Sequence, residues 1–187
     1  EKETLLQQST YRERYVQENL ISYILDNSAL TSSPLHIRDY LVDIGGFNVA
    51  LHDCHENDLH LRLALSGVYF YYYPGLVYKY RQHNAGNRIS DQAKKQTDPL
   101  SYFKLFSNHK NLIEATIGQT LGLSVKQALA RRFWQYGRAV LREGYRQEST
   151  QYFEAAKKLS QCCVVGRPPY PLLVRLLGPL MSETIMT

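Results

Sequence analysis

Cysteine is scarce and unpatterned in this chain: Cys54, Cys162 and Cys163 make an odd count, two of them adjacent, with no CxxC spacing. That excludes a disulfide framework and a regular zinc site, and makes a reducing compartment, the cytoplasm, the simpler expectation. No N-terminal apolar run reads as a signal peptide. The longest late apolar stretch, Pro171 to Met181, carries Arg175 and is punctuated by Pro168, Pro169 and Pro179. It is too short to cross a bilayer and at most lies on its surface, which leaves peripheral membrane contact open. No Asp-x-Asp, no Gly-rich phosphate loop and no early β-α-β alternation occur, so a nucleotide pocket has no signature here. A basic tract is also missing: 22 Lys and Arg face 17 Asp and Glu along the whole length. The pI near 9.1 therefore describes a mildly basic surface. With no helix-turn-helix, zinc finger or RNP motif, nucleic acid is not an expected partner.

What is present supports a folded chain. The 187 residues are 44% hydrophobic and 21% charged, enough for one good core or two small ones. The chain begins at Glu1 inside a helical pattern, and we expect it to be a portion of a longer protein.

Apolar positions Leu5, Leu6, Tyr11, Tyr15, Leu20, Ile21 and Ile24 predict an amphipathic helix from Glu3 to about Leu25. Residues 28–34 read as a loop. Ile37 to Ile44 forms a short helix or turn that Gly45-Gly46 stops. A helix beginning at Asp53 runs to Ser66-Gly67, with Asp53 and Glu56 at capping-box spacing. Val68 to Tyr73 is β-branched and aromatic, Pro74-Gly75 turns, and Leu76 to Arg81 continues as a second extended piece, predicting a strand pair.

The polar segment from His83 to Pro99 is the best domain boundary, dividing the chain into 1–98 and 99–187. Beyond it, helices are expected over Leu100–Gly118, Val125–Arg142 and Glu148–Ser160, with Gly144-Tyr145 between the last two. Phe133, Tyr136, Gly137, Phe153 and Ala156 fall at offsets similar to one tetratricopeptide helical hairpin. One such hairpin cannot bury its own face, so it is expected to cap the preceding domain. Ser149 and Gln161 depart from that repeat's usual Ala and Pro. The Pro-rich tail from Val164 onward gives no clear pattern.

Taken in order, Gly45-Gly46-Phe47, His55-Glu56-x-Asp58, Arg62-Leu63-Ala64, Gly67, Pro74 and Tyr80-Arg81-x-His83 resemble the acceptor-side half of family-2 glycosyltransferases. The likeness covers about forty residues. It implies an α+β fold, predominantly helical: the C-terminal half of a GT-A-like domain with a small β element, followed by a helical extension. It implies an inverting transfer from a nucleotide-sugar donor to a sugar or lipid-linked acceptor, with Glu56 as catalytic base. Asp58 and Arg81 would bind substrate, and His83 would ligate a metal. The cofactor would be magnesium or manganese in the complete protein, with none expected on this portion because the donor half is missing.

His55 stands where the family carries Glu, and Glu56 where it carries Asp. Each residue also has a plainer reading. Glu56 can close a capping box and Asp58 can complement the helix dipole. Arg81 can pair with an acid of the core, and His83 can be an ordinary polar side chain. His52, His55 and His60 crowd the region without zinc-ligand spacing. Tyr69, Tyr71, Tyr72, Tyr73, Tyr78 and Tyr80 can stack on an acceptor sugar or fill a sheet core. An exposed sheet edge would favour a homo-oligomer. The rival from another class is a non-catalytic helical module that docks a partner protein.

Overall fold

A computed structural model describes residues 12–27, 29, 33–51, 54–75, 98–118, 120–161 and 163–186. Among these, seven helices occur: α1 (Leu20–Asp26), α2 (Arg38–Asp43), α3 (His55–Leu65), α4 (Ser101–Ile117), α5 (Leu123–Arg142), α6 (Arg146–Leu159) and α7 (Tyr170–Met186).

The α+β expectation is overturned, because the described residues contain helices and no strand. Val68 to Tyr73 is irregular backbone leaving Leu63, to whose carbonyl the Val68 N–H donates at 3.1 Å. Aromatic and β-branched residues favour a strand only when a neighbouring strand completes the ladder. Leu76 to Arg81, the expected partner, lies outside the described residues. So does most of the boundary segment, residues 83–97.

The first expected helix is described only from residue 12 onward, and there it is helical only over Leu20–Asp26. Residues 12–19 are instead looped around Glu18, which accepts two hydrogen bonds from Arg12, at 2.7 and 2.5 Å. Asn19 then caps α1, its side chain accepting from the Ser22 N–H at 3.1 Å. The stop after α2 forms as the paired glycines predict. Gly45 and Gly46 adopt φ of +78° and +68°, and their N–H groups donate to the carbonyls of Val42 and Leu41 in a Schellman motif.

The α5–α6 hairpin is the heart of the structure. Gly144 turns the chain where expected, and the two helices meet at Gly137. A Cβ built there would stand 2.8 Å from the Tyr152 Cβ, so only glycine permits this approach. Around it lie Phe133, Trp134, Tyr152, Phe153 and Ala156, joined by Leu105 and Phe106 of α4 and by Tyr170 and Val174 of α7. The Tyr152 hydroxyl donates to the Pro99 carbonyl and accepts from the Phe103 N–H, both at 2.8 Å, which fastens the start of α4 to the hairpin. A second cluster joins α1, α3, α4 and α5 through Ile21, Ile24, Leu61, Ile113, Val125 and Leu129. Helices from both sides of the expected boundary thus share their cores.

The tail without clear pattern becomes α7. Pro171 occupies its first turn, where no intrahelical N–H bond is lost, and the chain kinks at Gly178 before Pro179. Among the described residues no helix is long and apolar enough to cross a membrane.

Candidate functional site

The site grows from α3 and the turn that precedes it. Helix α3 starts at His55, with Cys54 as its N-cap in the left-handed region at φ 59° and no side-chain cap. In that register the capping-box residue is Asn57, and Glu56 is the second helical residue. Asp53, the expected cap, lies outside the described residues. Glu56 is half-buried in the first turn of α3, where the helix dipole favours a carboxylate.

Arg62 ties this helix to the Gly-Gly-Phe turn. Its guanidinium donates to the carbonyls of Ile44 at 2.8 Å and Gly46 at 2.7 Å, while Nε donates to Asp58 at 2.8 Å. Two segments sixteen and eighteen residues apart are therefore one unit.

Asp58 points inward. Its second oxygen accepts from His109 Nε2 of α4 at 3.2 Å, in a site where both side chains are nearly inaccessible. Burial works against the charge, yet the bonds from His109 and Arg62 hold the carboxyl below the usual carboxylate range. His109 is a residue that sequence reasoning missed, since nothing in its spacing links it to a position 51 residues earlier.

One turn beyond Glu56 on α3 lies His60, only 3% exposed. Its Nε2 stands 3.2 Å from the Nε2 of His36, with the ring planes 14° apart. The centroids are 5.4 Å apart, so the two nitrogens face each other close to the line of centres, as in a hydrogen bond between neutral rings. The Phe70 ring meets His60 edge-on. Burial pushes the His60 imidazole down to about 4; the neighbouring His36 adds to this and Glu56 opposes it. The pairing with His36 is also absent from any sequence spacing.

Of the expected site residues, the structure gathers Glu56 and Asp58 on one helix beside the Gly-Gly-Phe turn. Arg81 and His83 lie outside the described residues. Among the described residues no group of three or more His, Cys, Asp or Glu side chains is arranged to hold a metal ion. The divalent cation implied by the resemblance thus has no ligand set here, and no step is routed through it.

At the far end of α3, about 15 Å from Glu56 by helical rise, a cleft of about 300 Å³ is lined by Tyr40, Asp43, Ser66, Gly67, Val68 and Tyr69. Tyr69, Tyr71 and Tyr73 are exposed there, and the ring centroids of Tyr69 and Tyr71 are 4.8 Å apart.

Compared with protein-family models, with curated proteins and with solved structures, the chain matches none of them.

Proposed function

We propose that this chain is the acceptor-side portion of an inverting glycosyltransferase that uses a nucleotide-activated sugar, with Glu56 as the general base. The observation that carries this is the clasp of Arg62 on the Gly-Gly-Phe turn, which fixes α3 and holds Glu56 half-buried at the positive end of the helix. In the reaction, Glu56 takes the proton from the acceptor hydroxyl as that oxygen attacks the anomeric carbon. The bond from that carbon to phosphate breaks, and the nucleoside diphosphate leaves with its electron pair. The donor half, with any magnesium or manganese, belongs to the complete protein.

Asp58 serves this site as a positioning residue, through Arg62 and His109. Arg81 and His83 remain the residues assigned to substrate and metal by resemblance. The exposed tyrosines beyond Gly67 offer faces for a sugar or lipid-linked acceptor. We place the reaction in the cytoplasm, on the cysteine pattern.

The rival, a non-catalytic helical interaction module, has the α5–α6 hairpin in its favour. Against it, the inner face of that hairpin is already filled by Phe106 of α4 and Tyr170 and Val174 of α7. The decisive experiment is Glu56→Gln in the complete protein. Turnover should fall about 10²- to 10⁴-fold while donor affinity and melting temperature hold, the span a lost general base produces. Unchanged turnover removes Glu56 from the chemistry. Absence of nucleotide-sugar turnover in the unmodified complete protein, with magnesium and with manganese, favours the interaction module.

A further inference from the structure

Helix α7 is mounted the wrong way round for a helix whose task is only to close a core. Its buried positions after the kink are Ser182 and Glu183, the latter 2% exposed. Glu183 accepts from Arg138 of α5 at 2.7 and 3.2 Å and pairs with Arg142. Arg138 in turn donates to the Val165 carbonyl at 2.9 Å and lies over the Tyr170 ring, 3.9 Å from its centroid. The helix is therefore held in place by its acid, and its apolar residues turn outward: Leu172 at 60% exposure, Leu176 at 70%, Met181 at 55% and Ile185 at 58%. An amphipathic helix seated on a core shows the opposite arrangement. An exposed apolar strip of this kind marks an interaction surface.

The charge around the strip states what it faces. From Lys157 to Met186 the exposed charged side chains are Lys157, Lys158, Arg167 and Arg175, all basic. The single acid of that stretch is Glu183, already neutralised by two arginines. On the adjoining α6, Glu154 is the acid nearest this surface. It lines, with Arg146, Lys157, Leu177, Pro179 and Met181, a groove of about 310 Å³ between α6 and α7.

We propose that α7 docks on an anionic lipid bilayer, lying in the interfacial plane. Leu172, Leu176, Met181 and Ile185 enter the acyl boundary, and Lys157, Lys158, Arg167 and Arg175 meet the headgroups. An apolar face combined with a basic rim is the form of a peripheral helix that reads surface charge. A protein partner seated through the same residues would face four uncompensated cations, which a phosphatidylserine-bearing surface neutralises. This docking does not depend on the transfer reaction.

The test is co-sedimentation of the full 187-residue chain with vesicles of phosphatidylcholine alone and of phosphatidylcholine with phosphatidylserine. Binding should occur on the anionic vesicles, weaken with added salt, and be absent from the neutral ones. The double variant Arg167→Gln, Arg175→Gln should bind about thirtyfold more weakly. Leu176→Glu with Met181→Glu should abolish binding while far-UV circular dichroism stays unchanged, since both positions are exposed. Equal binding to neutral and anionic vesicles overturns the assignment. So does the absence of vesicle binding together with a self-association that the Leu176→Glu, Met181→Glu variant abolishes, which would give the strip to a second copy of the chain. Absence of both overturns it as well.

Discussion

The α5–α6 hairpin and the unit formed by α2, its glycine turn and α3 are held by opposite means. The hairpin is aromatic and dry, with Phe133, Trp134, Tyr152 and Phe153 all at or below 2% exposure. The α3 unit is ordered by a chain of polar contacts, from the carbonyls of Ile44 and Gly46 through Arg62 and Asp58 to His109. Apolar packing is non-directional and tolerates modest rearrangement, whereas hydrogen bonds at fixed geometry set position. The hairpin thus supplies stability, and the polar unit fixes where Glu56 stands.

Several measurements sharpen that contrast. The largest effect should come from Trp134→Ala, which empties the middle of the hairpin and should cost about 3–5 kcal/mol. Urea denaturation should show a lower midpoint with an unchanged slope; a loss below about 1 kcal/mol would mean that the hairpin does not carry the fold.

Next comes acidity. His60 titrates at about 4 in the folded chain, against 6.5 as its ordinary value. Its folded pKa is depressed, so the unfolded chain binds the extra proton first. Stability is complete above about pH 6.5 and declines toward pH 4, by about 3 kcal/mol in all. Asp58, whose pKa is lowered as well, adds its own loss at lower pH, below the ordinary carboxylate value of 3.8. Denaturation curves across pH 7 to 4 should show the first slope, and His60→Gln should flatten it. A slope that persists in that variant assigns the effect elsewhere.

Arg62→Met should cost less, about 2 kcal/mol for charge-assisted bonds partly replaced by water. Hydrogen exchange should quicken at residues 44–47 while the hairpin amides stay protected. If both regions loosen together, the polar unit is not separate from the hairpin. The smallest effect is expected for Gly45→Ala, about 1–2 kcal/mol for an L residue held at φ +78°. No neighbour lies within 4 Å of the added methyl, so the penalty is purely backbone strain and should appear as a lower melting temperature.

Features fixed by local chemistry were legible beforehand. The helix stop at Gly45-Gly46, the turn at Gly144 and the α5–α6 hairpin each follow from residues adjacent in the chain. Features decided by distant neighbours were not. The Val68–Tyr73 segment has strand composition, but composition does not supply a neighbouring strand. Helix α7 was hidden because its prolines read as loop, although a proline in a first turn or just past a kink costs the helix little. Its tether, Arg138 to Glu183, spans 45 residues. Within the candidate site, Glu56 and Asp58 were found from motif spacing. The inward turn of Asp58 onto His109, and the meeting of His36 with His60, required the packing of α4 and of the loop before α2 onto α3.

Cys54 joins the two regions. It belongs to the aromatic cluster, its Sγ lies 3.6 Å from the Tyr136 hydroxyl of α5, and it stands two residues ahead of Glu56. Glu56 therefore has its footing in the hairpin, as a valve seat is bored into the engine block. A partner that tilted α5 would reset the height of that carboxylate directly, with no relay of intermediate side chains.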